Sequence, residues 1–311
     1  MKLRVLFIHK KQIFFLLMFL ILCFISVILF NLFSQKEYGD SLSVFAKEDY
    51  EKGLKKDLNG DGKEDVINIT TKDDKYYVGA TINNKSYMLS PDTKLASLGK
   101  EYPNWGIRLF MKDISRDGIP EIFLQSSQED TAISHIFSWT GLEFKDYFYS
   151  TNNVMGILNS QNNKTPKFFS GKVVDGLLTF DSYMLIGNNF KNTSYDQYTV
   201  PGRQSVTELI DAIEAASVPY ELPSFFCNST TESDAALLWK LDKNVYSYKF
   251  QDAFFLDDKW DKNGDITSII WQINFKRTNK STSKNDSIII KAKVIPSNKD
   301  YKVSSVSLYE K

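Results

Sequence analysis

Residues 57–67 read DLNGDGKEDVI, and this stretch decides how the first half of the chain folds. Three aspartates and one asparagine stand at odd-numbered positions of it, two glycines lie between them, and an apolar run follows at once. Carboxylates this close together repel one another unless a cation lies among them. The stretch therefore predicts either a cation-binding loop that leads into a β-strand, or a solvated turn whose acidic residues are incidental.

The same pattern occurs twice more along the chain. At residue 113 the sequence reads DISRDGIPEIFLQ, and at residue 159 it reads NSQNNKTPKFFSG. The second copy keeps oxygen-bearing side chains at the first, third, fifth and ninth positions, whereas the third copy has lost its carboxylates. One glycine precedes each copy, at Gly53, Gly106 and Gly156. Self-similarity of this kind indicates a repeat architecture.

Two further strand-like stretches follow each copy. They are residues 76–82 and 85–90, residues 131–139 and 142–150, and residues 177–186 and 190–200. With a short strand before each loop, every unit is predicted to contain four antiparallel strands. The copies begin at residues 57, 113 and 159, so the spacing is in or near the length range of propeller blades.

The pattern D-x-N-x-D-G-x-x-D/E before an apolar strand resembles the FG-GAP/VCBS repeat of integrin-alpha-like β-propellers. The resemblance covers residues 48–200, about half of the chain. It implies blade-like antiparallel sheets in a bacterial membrane-anchored protein. Three repeats are fewer than the about four to eight blades of an ordinary propeller. We therefore expect an open fan of sheets or a small, atypical closed assembly.

The first acidic loop, residues 57–65, is predicted to bind Ca²⁺. Calcium takes about six to eight oxygen ligands from carboxylates, amides, carbonyls and water. The predicted ligands are Asp57, Asn59, Asp61, the Lys63 backbone carbonyl and Asp65. The loop is not an EF-hand, because its closing carboxylate stands at the ninth position and a strand, not a helix, follows it.

The second acidic loop, residues 113–121, is predicted to be a further Ca²⁺ site. Its predicted ligands are Asp113, Ser115, Asp117, the Ile119 backbone carbonyl and Glu121. The alternative for both loops is a hairpin turn with incidental acids, because Asn, Asp and Gly favour turns.

The third loop, residues 159–167, is predicted not to bind calcium. Its corresponding side chains are Asn159, Gln161, Asn163 and Lys167. Lys167 would place an ammonium group where a metal ion needs an oxygen. A later acidic stretch, residues 261–267, is predicted to be a hairpin turn, because its ninth position is Ile269, inside a strand.

Residues 201–311 are predicted to form a separate α+β domain of unknown function. Its predicted helices are residues 205–216, with a Ser205–Glu208 capping box, and residues 231–241. Its predicted strands are residues 244–256, 266–277, 286–296 and 301–309. Helices followed by a meander favour an antiparallel sheet with helices on one face.

The N-terminal segment predicts a membrane attachment. Residues 13–33 are an apolar run between a basic tail, residues 1–12, and a linker, residues 34–47. A helix of that length spans about 30 Å, the thickness of a bilayer core. The segment therefore predicts a single-pass signal-anchor with a cytoplasmic N-terminus and residues 34–311 outside the cytoplasm. The alternative is secretion after cleavage near Ala46.

The charge and the scarce reactive side chains exclude several function classes. Beyond residue 33 the chain carries 34 basic and 38 acidic residues, which is no footprint for nucleic acid. Only one histidine, His135, and one cysteine, Cys227, lie there, so no intrachain disulfide can form. A lone histidine in an alternating strand is most often structural, and no Ser-His-Asp or Cys-His arrangement is evident. We predict no catalytic residues and no cofactor besides Ca²⁺.

The predicted function is a membrane-anchored module for binding, adhesion or scaffolding outside the cytoplasm. Its partner would be the membrane itself together with a surface protein or a polysaccharide. One alternative is an exported hydrolase whose site lies in the C-terminal domain. The other is a sensory or assembly factor that acts on a membrane partner.

Overall fold

The computed structural model describes residues 53–309 except 188, 197 and 198, together with residues 11, 15, 18–22 and 26. The chain divides into two compact units, Met1–Ser43 and Val44–Lys311. Most of the predicted tail, most of the anchor, the linker and Ala46 lie outside the described residues. Among the residues that are described, no helix combines the length and the apolarity needed to cross a membrane.

Each of the three predicted repeats contains four consecutive antiparallel strands. The first repeat has β1 (Leu54–Lys56), β2 (Asp65–Lys72), β3 (Lys75–Ile82) and β4 (Lys85–Met88). The second has β5 (Arg108–Lys112), β6 (Glu121–Gln128), β7 (Thr131–Trp139) and β8 (Phe144–Ser150). The third has β9 (Val154–Leu158), β10 (Lys167–Val174), β11 (Leu177–Ile186) and β12 (Asn189–Asn192). The prediction of a mainly β chain with antiparallel sheets is confirmed.

The C-terminal part contains helices and long strands. They are α1 (Arg203–Glu214), α2 (Glu232–Ala235), α3 (Leu237–Lys240), β13 (Tyr246–Trp260), β14 (Ile266–Asn279), β15 (Asn285–Ser297) and β16 (Asp300–Leu308). Short 3-10 helices cover Thr93–Leu95 and Ser194–Asp196. The latter follows β12, so the strand predicted over residues 190–200 ends early.

Two details of the predicted helices are wrong. The helix predicted over residues 231–241 is interrupted at Ala236, which separates α2 from α3. The predicted Ser205–Glu208 capping box does not form, because α1 begins after Gly202 and has no side-chain cap. Ser205 Oγ instead donates a hydrogen bond to the Tyr301 carbonyl at 3.0 Å. A tertiary contact has taken the hydroxyl that local capping would have used.

The third repeat and the C-terminal strands form one sheet of eight strands, in the order β12-β11-β10-β9-β13-β14-β15-β16. β9 and β13 pair in parallel, with Val154 opposite Ala253 and Ile157 opposite Leu256. The antiparallel sheet predicted for the C-terminal part is therefore one half of a larger sheet. The predicted boundary between residues 200 and 201 falls within the chain segment that connects these two halves.

Gly156 allows β9 to lie close to β13. Its register partner is Phe255, and a Cβ atom on Gly156 would lie 2.2 Å from two carbons of the Phe255 ring. That ring stacks on Trp271 with centroids 4.3 Å apart, and both side chains are fully buried. The glycine that precedes the third loop thus stands where the two halves of the sheet meet.

Buried polar contacts hold the second repeat to β13. Arg108 on β5 forms an ion pair with Asp252 on β13. Trp105 Nε1 donates a hydrogen bond to Asp252 Oδ2 at 2.5 Å, and Gln125 Nε2 donates to the Ala253 carbonyl at 3.2 Å. Because buried charges need partners, these contacts fix the second repeat against the large sheet.

We predict that Gly156→Ala lowers the free energy of unfolding by about 1–3 kcal/mol, because the added methyl overpacks the Phe255 ring. Urea denaturation of the full chain measures the change. Gly79→Ala on β3 is the matched control, since its Cβ would meet no atom closer than 3.4 Å. Equal stability of the two variants would contradict the role of Gly156.

Candidate metal loops

The backbone of the first loop wraps around the loop's own carboxylates. Asp57 accepts hydrogen bonds from the amides of Gly60 through Oδ1 and Gly62 through Oδ2, both at 2.8 Å. Asp61 Oδ1 accepts from the Lys63 amide at 2.9 Å. Gly60 and Gly62 have φ angles of +77° and +81°, which glycine adopts without steric cost. The loop is therefore a compact turn with its carboxylates directed inward.

Asp65 closes the first loop from the start of β2. Its Oδ2 accepts the Leu58 amide at 3.0 Å, and the side chain is buried. Burial raises the pKa of Asp65, and the charges of Asp61 and Asp57 raise it further. A carboxyl group whose pKa is raised by like charges is one that a nearby cation would stabilise in its charged form.

The second loop repeats the same hydrogen-bond pattern. Asp113 accepts the Arg116 amide through Oδ1 at 2.6 Å and the Gly118 amide through Oδ2 at 2.9 Å. Asp117 Oδ1 accepts the Ile119 amide at 2.8 Å. The match extends to the backbone, because Arg116 has a φ of +62° at the position that Gly60 holds in the first loop.

Glu121 closes the second loop as Asp65 closes the first. Its Oε2 accepts the amide of Ile114 at 2.8 Å, and the residue is 1% exposed. Burial, together with the charge of Asp113, raises the pKa of Glu121 to about 7. Both closing carboxylates therefore lie in surroundings that raise their pKa, with burial as the largest cause.

The donor atoms suit calcium in chemical type. Within the part of the chain that is described, no three Asp, Glu, His or Cys side chains converge as a metal-holding group. Calcium also takes amide, hydroxyl, carbonyl and water oxygens, and the loops supply such atoms at Asn59, Ser115 and the carbonyls of Lys63 and Ile119. In the first loop Asn59 Nδ2 donates to Asp61 Oδ2 at 3.2 Å, so the two predicted ligands are already neighbours.

The third loop receives its closing carboxylate from another strand. In the first two loops the amide of the second residue donates a hydrogen bond to the carboxylate of the ninth residue. The ninth residue of the third loop is Lys167, which has no carboxylate. In the third loop the Ser160 amide donates to both oxygens of Asp257 on β13, at 3.1 Å each. Asp257 is buried, and it also accepts Trp260 Nε1 at 2.5 Å. Sequence reasoning missed Asp257, because nothing near the loop points to a strand so distant in the chain.

The loops lie side by side. A Cβ atom on Gly60 of the first loop would be 3.1 Å from Ile119 Cγ1 of the second. Arg116 Nη2 of the second loop donates to the Asn162 carbonyl of the third at 2.8 Å. Asn162 Nδ2 in turn donates to the Gly264 carbonyl at 2.9 Å, in the turn between β13 and β14. The fourth residue of each loop therefore contacts the next turn in the row.

His135 and Cys227 have structural surroundings. His135 is fully buried, with Nδ1 2.7 Å from Asp146 Oδ2 and Nε2 2.9 Å from the Ser97 carbonyl. These contacts connect β7 to β8 and to the segment that follows the first repeat. Cys227 is buried, with its sulfur 3.0 Å from Thr230 Oγ1.

A groove of about 440 Å³ is bordered by the second repeat, the third repeat, α1 and β13. Its charged lining residues are Asp130, Lys172, Asp211, Glu214 and Lys249. Glu214 Oε1 accepts the Phe250 amide at 2.6 Å and lies 3.5 Å from Lys249 Nζ. Burial, followed by the charges of Glu214 and Glu208, raises the pKa of Asp211. The groove is thus a polar recess with charges of both signs.

Comparisons with known proteins identify no family. No protein-family model matches the chain, and no curated protein matches it. A solved structure of TolB from Acinetobacter baumannii is similar to it, with a TM-score of 0.27 and 8% identity. That match covers 81% of this chain and 53% of the TolB chain, so the chain spans about half of that length. This similarity is too low to assign a shared fold.

We predict that Asp257→Ala lowers the free energy of unfolding by about 1–3 kcal/mol, because the buried Ser160 amide loses its acceptor. Lys259→Ala is the matched control, because Lys259 is exposed on the same strand, where substitutions change stability by about 0.5 kcal/mol or less. Urea denaturation and hydrogen exchange at Ser160 measure the effects. If Ser160 exchanges equally in both variants, Asp257 does not close the third loop.

Proposed function

We propose that the protein is a membrane-anchored, non-catalytic module outside the cytoplasm whose repeats are stabilised by calcium and present a surface for binding or scaffolding. The observation that carries the proposal is the hydrogen-bond pattern shared by the first two loops. Both loops direct carboxylates inward, and both have a closing carboxylate, Asp65 or Glu121, with a raised pKa. Supplying one divalent cation to each loop would remove this electrostatic penalty.

Calcium would act on stability and not on covalent chemistry. In the first loop Asp57, Asn59, Asp61, the Lys63 carbonyl and Asp65 would hold the ion. In the second loop Asp113, Ser115, Asp117, the Ile119 carbonyl and Glu121 would hold it. The ion would neutralise the crowded carboxylates at the starts of β2 and β6. Extracellular calcium modules bind with Kd values of about 10⁻⁴–10⁻³ M, which suits a protein outside the cytoplasm.

The four-stranded units are proposed to be propeller-blade-like repeats of the FG-GAP/VCBS type in an open arrangement. Two observations support this interpretation. The acidic loop stands between the first and second strands of each unit. The neighbouring loops lie beside one another in sequence order, with Gly60 close to Ile119 and Arg116 bonded to the Asn162 carbonyl.

The groove beside α1 is the proposed binding surface. It combines carboxylates and lysines with the aromatic rings of Trp105 and Phe250, a mixture that suits a polar segment of a surface protein or a polysaccharide. The lining also includes Asp211 and Glu214 from the C-terminal part. If the protein were instead an exported hydrolase, this groove is where its active site would lie. Glu214 is already engaged by the Phe250 amide and Lys249, which favours binding over catalysis.

We predict that calcium raises the melting temperature of the full chain and that EDTA lowers it. Each site filled at a hundred times its Kd adds about 2.7 kcal/mol to the free energy of unfolding. Asp57→Ala and Asp61→Ala should each remove the part of the calcium-dependent rise in melting temperature that the first loop contributes. Glu121→Ala should remove the part that the second loop contributes. Differential scanning calorimetry with and without calcium measures these contributions to the melting temperature.

The control variant is Glu221→Ala, which removes an exposed carboxylate outside the loops and should keep the full calcium response. Direct titration of calcium by isothermal calorimetry should give two sites in the unmodified chain and one site in Asp57→Ala. If chelation leaves melting of the unmodified chain unchanged, neither loop has the proposed role. A response that survives in a variant combining Asp57→Ala with Glu121→Ala would assign the calcium to some other part of the protein.

A further inference from the structure

The third loop surrounds the end of an arginine side chain from the second loop. Arg116 Nη2 lies 3.3 Å from the Asn159 carbonyl oxygen, 2.8 Å from that of Asn162 and 2.5 Å from that of Lys164. Three backbone carbonyls of one loop therefore converge on a single nitrogen atom. We call this arrangement the carbonyl cage.

The carbonyl cage is better described as a cation site than as a set of ordinary hydrogen bonds. One terminal guanidinium nitrogen carries only two hydrogens, so it cannot make a full hydrogen bond to each of three acceptors. Its charge is shared with the rest of the guanidinium, which stays protonated in proteins. Converging carbonyl oxygens are also the ligands with which protein loops coordinate calcium.

The backbone of Arg116 supports a specific role for its side chain. Arg116 has a φ of +62°, in the left-handed region, where Gly60 stands in the first loop. A residue with a Cβ atom is sterically disfavoured there. The contacts of the guanidinium with the cage, and the amide hydrogen bond to Asp113, help to offset that cost.

We propose that the third loop is a guanidinium site, in which Arg116 supplies internally the positive charge that calcium is proposed to supply to the first two loops. The comparison with calcium rests on the proposed function, whereas the cage rests on the contacts of Arg116. The third loop then needs no metal ion to be ordered. The cation comes from the second loop, and Asp257 supplies the missing carboxylate.

The neighbouring charges are consistent with this assignment. Asn159, Asn163 and Lys167 hold the positions of the lost acids, so no carboxylate of the third loop itself neutralises the guanidinium. Lys164 directs its ammonium group to Asp265, 2.5 Å away, and leaves only its carbonyl to the cage. The cage is at the surface, since Arg116 is exposed, and a small cation from solvent can therefore reach it.

The test uses the full chain in excess EDTA, so that no calcium contributes. We expect Arg116→Ala to increase amide hydrogen exchange of residues 159–165 by about threefold to fivefold, as for the loss of a surface charge contact of about 1 kcal/mol. Arg116→Lys should retain more protection than Arg116→Gln, because lysine keeps the positive charge. N-ethylguanidinium at about 0.2 M should partly restore protection in Arg116→Ala, because a contact of about 1 kcal/mol corresponds to a Kd of about 0.2 M. The neutral N-ethylurea at the same concentration should not.

Arg277→Ala is the matched control, because it removes a half-exposed guanidinium that pairs with Asp286 and should leave exchange in the third loop unchanged. The proposal is overturned if Arg116→Ala exchanges like the unmodified chain. It is also overturned if the third-loop amides are as well protected from exchange in Arg116→Gln as in Arg116→Lys. The same holds if N-ethylurea restores this protection in Arg116→Ala as well as N-ethylguanidinium does. An unmodified chain that melts identically with and without EDTA would contradict the calcium role of the first two loops and leave the guanidinium site standing.

Discussion

The parallel pairing of β9 with β13 is the constraint on which the rest of the structure depends. It joins the third repeat to the C-terminal strands in one sheet, and Gly156 permits the approach because Phe255 occupies the space that a side chain would need. The same strand β13 then presents Asp252 to the second repeat and Asp257 to the third loop. A single strand therefore positions two of the three repeats.

The three loops show how the same turn keeps its backbone amides hydrogen-bonded although its side chains differ. A buried backbone amide needs an acceptor whatever the local sequence offers. The second amide of each loop finds a carboxylate: Asp65 in the first, Glu121 in the second and Asp257 in the third. The third loop has lost its own acids, and its exposed carbonyls face Arg116. Contacts between elements have replaced contacts within the loop.

The strands of the repeats were predictable because their signals are local. Alternating apolar residues and Asn-Gly or Asp-Gly turns are read within a few residues, and β7 and β11 have the bounds that the pattern predicts. Elements whose limits depend on distant neighbours were predicted less well. The segment 190–200 is a strand only as far as Asn192, and Ser205 contacts Tyr301 instead of capping α1.

The ligand-type residues of the first two loops could be named from sequence, because their spacing repeats. Asp257 and Arg116 could not, because each acts on a loop that is not its own. A parallel pair of strands also leaves no local turn signal, since its connection must be long.

The sequence by itself determined the repeats, the turn chemistry of the loops and the loss of acids in the third. Only the tertiary structure decided which strand the third repeat joins and which side chains complete the third loop. The reason is physical: turn and strand propensities act over a few residues, whereas the partners of β9, Ser160 and the carbonyl cage are chosen by packing between distant segments.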